Sequence, residues 1–188
     1  MMEPILLDVP AELSTERLSL RIPRFGDGAM INEAIVESAV ELARWMPWAH
    51  PTPDVDNTEK WARNAAAKFL SREAFHFLIF LKSTGGYLGT CGMHRLNLKT
   101  PMVEIGYWMR TSECGKGYMT EAAGAVAGFA REWLKCVRVE IRCNEHNIAS
   151  RRVAERLGFQ LEGMLRNDSR DHFDQLKNTC IYGWARAS

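Results

Sequence analysis

A chain of 188 residues is the size of one ordinary domain, because a single core serves roughly 100–200 residues before chains divide. Hydrophobic residues at 46% and charged residues at 25% match globular averages and exclude collagen-like, coiled-coil and disordered classes. With 24 Lys and Arg against 23 Asp and Glu, the net charge of +1 gives no global field for nucleic acid or an anionic membrane, so any anion site must be local.

Residues 1–10 carry Glu3 and Asp8 without a basic segment, unlike a secretory signal. No apolar run approaches the roughly 20 residues that span a bilayer; even residues 75–81 are interrupted by His76 and closed by Lys82. A cytoplasmic protein is expected. Cys91, Cys114, Cys136, Cys143 and Cys180 are odd in number and form no CxxC pair, so they read as reduced thiols, and no metal site is expected.

Residues 17–24 alternate Leu18, Leu20 and Ile22 with Ser19 and Arg21, the period of a strand with one buried face, ended by Pro23 and Gly26-Asp27-Gly28. Ile31, Ile35, Ala39 and Leu42 then recur at helical spacing until Pro47, Pro51 and Pro53, which predicts two short helices and a Pro-rich loop. Asp56 or Thr58 can cap a further helix reaching Leu70, with Trp61, Ala65 and Phe69 on one stripe. Residues 74–82, 87–97 and 102–110 read as three antiparallel strands of a meander, joined by turns at 83–86 and 99–101.

A helix over 117–134 follows, with Met119, Ala122, Val126, Phe129 and Trp133 on one face and small residues between them, which suits close packing on a sheet. Residues 137–143 form a strand, and 147–157 a helix stopped by Gly158. Strands at 159–166 and 178–186, joined by a hairpin loop over 168–174, complete the chain. The order β, helices, βββ, α, β, α, ββ, without repeats or linkers, is that of one α/β domain with a mixed sheet.

Two stretches carry chemistry. Residues 110–120 (Arg-Thr-Ser-Glu-Cys-Gly-Lys-Gly-Tyr-Met-Thr) pass from a strand end through Gly115 and Gly117 into a helix. Converging backbone N–H groups and the helix terminus would make a phosphate cradle, though an ordinary glycine loop has the same composition. The spacing is not that of a Walker A loop, since Gly117 follows Lys116. The second stretch, residues 144–159, places Asn147 as a helix cap and Ser150 one turn inside, where its hydroxyl can point back toward the preceding strand.

Together these stretches resemble the GNAT superfamily of acyl-CoA-dependent N-acyltransferases, most closely its ribosomal-protein N-acetyltransferase (RimJ/RimL-type) branch. The resemblance covers nearly the whole chain. It rests on Leu13-Ser-Thr-Glu-Arg-Leu18 with Leu20-Arg21, Val103-Glu-Ile-Gly-Tyr-Trp108, Gly115-Lys-Gly-Tyr-Met-Thr-Glu-Ala122, and Asn147-Ile-Ala-Ser150 through Leu157-Gly-Phe159. It implies a mixed, mostly antiparallel seven-stranded sheet splayed at its centre, with helices on both faces. The acetyl-CoA arm would lie in the split against the backbone near Trp108 and Met109. Its pyrophosphate would meet Gly115, Lys116, Gly117, Tyr118, Met119 and Thr120, with Asn144 and Asn147 also on the cofactor side. Cys114 stands where the superfamily usually has Gln or Arg, and Met119 where a small residue is usual. Backbone donors make most contacts in such a loop, so the cradle survives both changes.

An α-amine with a pKa near 8, or a lysine near 10.4, must lose a proton before it can attack a thioester. Glu104 shares a strand face with Gly106 and Trp108, and Gly106 leaves room beside it for a relaying water. It reads either as the base or as a paired strand carboxylate. His94 is the alternative base, although a lone histidine in a meander is usually a satisfied core residue. A backbone N–H near Met109 would hold the oxyanion, and Ser150 or water would serve the departing thiolate. Trp45 and Trp48 are acceptor-side or core residues, and Glu162 resembles an acceptor-side acid of this branch. Arg138, Arg142, Arg151 and Arg152 fit CoA phosphates better than nucleic acid. The expected activity is acetyl transfer from acetyl-CoA to a primary amine, above all the N-terminal α-amine of a ribosomal or other protein. A small-molecule amine, or acyl-CoA binding without catalysis, is the alternative. Monomer and homodimer remain open from sequence.

Overall fold

The computed structural model describes residues 3–97, 99–171 and 173–186. In chain order the elements are β1 (Glu12–Ser14), β2 (Leu18–Arg21), α1 (Gly28–Glu37), α2 (Ala39–Trp45), α3 (Val55–Leu70), β3 (Phe75–Leu81), β4 (Tyr87–Asn97), β5 (Met102–Met109), α4 (Tyr118–Glu132), β6 (Arg138–Asn144), α5 (Ile148–Arg156), β7 (Gln160–Arg170) and β8 (Leu176–Ala185). The strands form one sheet in the order β1-β2-β3-β4-β5-β6-β8-β7. This is the expected mixed α/β architecture with one strand more than the seven expected, because the three-residue β1 is too short to show a period.

Alternation in β3 explains both layers. Phe75, Phe77 and Ile79 are buried in the larger core, where Phe129 of α4 lies 5.5 Å from the Phe75 ring and 5.3 Å from the Phe77 ring. Each such buried ring contributes about 1.5–3 kcal/mol of transfer free energy. His76, Leu78 and Phe80 face the other way; Leu78 joins Ile31, Ala34, Ile35, Leu42 and Ala62 of α1, α2 and α3 in the second core. The buried Ala122, Ala123, Ala127 and Ala130 let α4 approach its face closely.

Helix ends follow local chemistry. Asp54, rather than Asp56 or Thr58, caps α3, its Oδ1 accepting from the Asn57 N–H at 2.7 Å. Thr58 turns its hydroxyl back to the Asp54 and Val55 carbonyls. Asn147 caps α5 as expected, accepting from the Ser150 N–H at 3.1 Å. Gly158 follows that helix with φ +78°, the left-handed conformation that glycine adopts without steric cost.

The hairpin differs from expectation. Strands β7 and β8 extend to Arg170 and from Leu176, shortening the expected loop, of which His172 lies outside the described residues. β7 is a fully exposed edge strand, so its polar Asn167-Asp-Ser-Arg170 segment carries no core-facing alternation. Asp171 Oδ1 pins the turn by accepting from the Phe173 and Gln175 N–H groups at 2.9 and 3.0 Å.

The break that matters lies between β5 and β6, which run parallel and pair only over Met102–Glu104 with Arg138–Glu140. β6 stays paired with β8 along its whole length, while β5 stays paired with β4. Beyond Glu104 the sheet therefore opens.

Candidate active site

The opening is a cavity of about 790 Å³ that reaches from the α1–α3 side of the sheet to the first turn of α5. Glu104, Gly106 and Trp108 line it from one face of β5, and Tyr107 and Ser150 from the other side of the split. Asn144, Asn147, Trp45, Trp48 and His94 also line it, so eight of the expected site residues share one space.

Glu104 is the carboxylate at the point where the strands part. Its side chain is 18% exposed, and burial pushes its pKa up from the ordinary carboxylate value, opposed by Arg95 and Arg142. Glu140 and Asp168 push in the same direction as burial. Arg95 Nε lies 3.3 Å from Glu104 Oε2, close enough for attraction but not aligned as a hydrogen bond, and that buried oxygen has no hydrogen-bond donor among the described residues. A carboxylate so placed is strained in its charged form and ready to accept a proton.

His94 sits directly across from Glu104 in the β4–β5 ladder. It lines the cavity and is not the satisfied core histidine that its meander position favours. The space beside Gly106 belongs to its ring, since a Cβ on Gly106 would lie 2.9 Å from His94 Nε2. That space was expected to hold a relaying water. One strand further, a Cβ on Gly92 would overlap His76 Nδ1. The His76 ring stands edge-on to His94 at 5.4 Å and to Trp61 at 5.6 Å. Burial, aided by His94 and Lys68, pushes the His76 pKa down to about 4, which keeps this ring neutral near pH 7.

On the other side of the split, the Tyr107 hydroxyl donates to the Ser150 carbonyl at 3.2 Å and lies 3.1 Å from Ser150 Oγ. Burial raises the Tyr107 pKa well above its ordinary value, so the phenol stays protonated. Cys143 lines the cavity beside them, its thiol pushed up to about 11 by burial although a Ser150 hydrogen bond pulls it down.

The glycine loop leads from β5 into the start of α4. Gly115 and Gly117 both have φ +81°, a backbone conformation that a side chain would disfavour. Glu121, in the first turn of α4, accepts from the Thr15 hydroxyl at 2.6 Å, the Arg17 N–H at 2.8 Å and Arg17 Nε at 2.7 Å. Arg17 in turn donates to the Lys116 carbonyl at 3.1 Å and lies over the Tyr118 ring at 4.7 Å. Lys116 is engaged with Glu113 at 3.0 Å. The loop is thus held from the turn between β1 and β2, and its two left-handed glycines suit a phosphate bound by main-chain donors. The Met109 and Met119 side chains are buried in the core, leaving only their backbones for ligand contact.

The remaining expected residues separate. Trp48 reaches the cavity and meets Trp108 at 6.0 Å between ring centres. Glu162 is outside the cavity lining and pairs with Arg138, which also bonds Glu140 at 2.8 Å. Arg151 is occupied by the Tyr182 hydroxyl and the Glu145 carbonyl. Only Arg142 of the four arginines lines the cavity, on the face it shares with Glu104, the opposite face of the sheet from α4. Arg138 and Arg151 are thus held by internal partners, while Arg142 stands apart in the cavity. Tyr107 and His76 were not among the candidates from sequence, and Arg142 was one only as part of an expected patch for CoA phosphates.

A family profile described as an acetyltransferase (GNAT) domain matches residues 17–160. The Uncharacterized N-acetyltransferase p20 of Bacillus licheniformis is 29% identical over 155 residues, covering 82% of this chain and 85% of that protein. The Ribosomal-protein-serine acetyltransferase of Escherichia coli (strain K12) is 26% identical over 134 residues, covering 71% and 74%. Among solved structures, RimL ribosomal L7/L12 α-N-protein acetyltransferase in complex with coenzyme A superposes with a TM-score of 0.85 at 21% identity, covering 95% of this chain and 97% of that one.

Proposed function

The chain belongs to the GNAT acetyltransferase family and uses acetyl-CoA as its acetyl donor, and on that premise we propose that its acceptor is the N-terminal α-amine of a protein, with ribosomal proteins the first to test. The observation that carries this reading is one cavity where β5 and β6 part, lined by Glu104 from one face of the sheet and by Ser150 from the other. A site open on both faces of a sheet lets a donor and an acceptor approach from opposite directions. Names given to relatives, a ribosomal-protein-serine acetyltransferase and an α-N-protein acetyltransferase, support the same acceptor class.

Acetyl-CoA, when bound, supplies the activated thioester. Residues 115–120 would hold its pyrophosphate through main-chain N–H groups, and the unpaired edge of β5 near Trp108 and Met109 would hold its arm. Glu104 takes the proton of the acceptor ammonium, and its raised pKa makes that transfer easier near neutral pH. Ser150 Oγ, its position fixed by Tyr107 and the α5 cap, would be the hydrogen-bond donor to the thiolate of the bound donor. The tryptophans at 45, 48 and 108 exclude water around the acceptor. Among the described residues no helix is long and apolar enough to cross a membrane, and five unpaired cysteines suit the reducing cytoplasm proposed as its location.

The test is a thiol-release assay with acetyl-CoA and a panel of N-terminal peptides, polyamines and aminoglycosides. Turnover with peptides blocked only by prior N-terminal acetylation supports the α-amine reading. Turnover confined to polyamines or aminoglycosides overturns it.

A further inference from the structure

The charges inside the cavity are unequal. Glu104 is the carboxylate that lines it, whereas Arg142, Arg170 and Lys177 bring three cations. Arg170 is partly satisfied by Asp174, whose carboxylate lies at 3.3 Å and whose carbonyl accepts from its guanidinium at 2.6 Å. Arg142 is different, because its Nε is buried without a hydrogen-bond partner among the described residues. A buried charged donor without a partner is costly, a cost that a bound anion would remove.

Register fixes where this cation stands. Glu104 pairs with Glu140, and Arg142 lies two residues further along β6, on the same face and beyond the last paired residue. At about 3.3 Å per residue, Arg142 is roughly 7 Å along the sheet from the carboxylate that takes the amine proton. Consecutive Cα atoms are about 3.8 Å apart, so an acidic side chain on the second residue of a peptide spans a similar distance from the terminal nitrogen. Lys177 shares this face through its place on β8, whose Thr179 pairs with Asn144, and extends the positive wall toward the hairpin turn.

Resting on the α-amine reading above, we propose that Arg142 is an anion-binding specificity residue and that the preferred acceptor amine carries a carboxylate or phosphate on its second residue, with Lys177 extending the same wall. The same wall repels polyamines and aminoglycosides, whose added positive charges would face Arg142 and Lys177. Unlike Arg138, Arg142 keeps its Nε without a hydrogen-bond partner among the described residues.

The experiment measures acetyl transfer to three tripeptides that differ only at position 2, bearing Asp, Asn or phosphoserine, and to the small amines taurine and ethanolamine. The enzyme is wild type, Arg142→Gln or Arg142→Lys, at a pH on the plateau of each profile, because Arg142 also faces Glu104. A charge-assisted hydrogen bond of about 1.5–3 kcal/mol corresponds to a preference for Asp over Asn of roughly 10- to 100-fold in kcat/KM. Arg142→Gln is expected to erase that preference through the KM of the acidic peptide, leaving the acetyl-CoA KM within twofold, and Arg142→Lys to restore part of it. The phosphoserine arm tells carboxylate from phosphate. Equal use of Asp and Asn peptides, or a rise in acetyl-CoA KM in Arg142→Gln, overturns the anion site while leaving the α-amine reading intact. Turnover of taurine over ethanolamine with no peptide used supports the anion site and overturns the peptide reading. Turnover of none of these amines overturns both.

Discussion

The hydroxyl of Tyr107 on β5 meets Ser150 of α5 twice, 3.2 Å from its carbonyl and 3.1 Å from its Oγ, across the gap where the sheet has opened. These contacts tie one wall of the cavity to the helix on the other. They also leave Ser150 with a fixed direction, since its N–H is already used by Asn147. If Ser150 serves the leaving sulfur, Ser150→Ala should lower kcat about 10²-fold with little change in acetyl-CoA KM, within the usual span of acid–base effects. Tyr107→Phe removes the hydroxyl but keeps the ring, and should lower kcat by a smaller factor, about tenfold, by freeing the Ser150 rotamer. Steady-state thiol release separates these outcomes. A rise in acetyl-CoA KM without loss of kcat would make Ser150 a binding residue.

Glu104 should reveal itself in the pH profile. Its pKa is raised by burial, so wild-type activity should fall on the acid side at a higher pH than an ordinary carboxylate would give. Glu104→Gln should cost about 10²–10³ in kcat at neutral pH and recover as pH rises past about 8, where an α-amine is already deprotonated. His94→Ala tests the competing base across the ladder. Full activity in Glu104→Gln with loss in His94→Ala would transfer the role to His94.

How much of this was legible in the sequence depends on whether a residue's position is set locally. The alternation of Leu18 and Leu20 with Ser19 and Arg21 and the Asn147 cap are short-range features, and both appear as read. That Glu104 and Ser150 face the cavity was legible because a strand face and one helical turn fix their directions. Tyr107 and Ser150 are 43 residues apart, and nothing short-range announces that they meet. Arg142 could not be separated from its neighbours by sequence because the distinction is tertiary: Arg138 finds Glu140 and Glu162, and Arg142 Nε finds no hydrogen-bond partner among the described residues. The extra length of β7 was hidden because an exposed edge strand needs no apolar face.

The glycine loop should respond to backbone geometry more than to charge. A β-branched side chain at φ +81° costs at least about 1–2 kcal/mol, and the loop would relax away from its present shape. Gly115→Val is the cleaner variant, since its Cβ would meet nothing within 4 Å and the effect is conformational, whereas at Gly117 a Cβ would sit 3.4 Å from Arg17 Nη2. Either should raise the acetyl-CoA KM about tenfold or more while leaving the acceptor KM nearly unchanged. Lys116→Ala should have a smaller, salt-dependent effect, because its ammonium is exposed and paired with Glu113. Equal rises in both KM values for the valine variants would count against the cradle.

Acid should weaken the fold through His76. Its ordinary pKa of 6.5 is lowered to about 4 in the folded protein by burial, then by the charges of His94 and Lys68. Between those values the unfolded chain binds a proton that the folded one refuses, so stability is fully present above about pH 6.5 and is lost as pH falls toward 4. Glu104 acts in the opposite sense: its raised pKa means the folded state takes up a proton more readily than the unfolded state, and acidification through that range stabilises. The two contributions are separable by comparing melting temperatures at about pH 7.5 and about pH 5 for Glu104→Gln and for the double variant that adds His76→Gln. The drop on acidification should be smaller in the double variant. Parallel drops would move the acid sensitivity to another group, with His94, whose pKa burial also lowers, the next to test. Gly92→Ala probes the same ring without changing its charge, since the new Cβ would overlap His76 Nδ1 and the ring is flanked by Trp61 and His94. Overpacking of this kind typically costs about 1–3 kcal/mol, so Gly92→Ala should lower the melting temperature at both pH values alike.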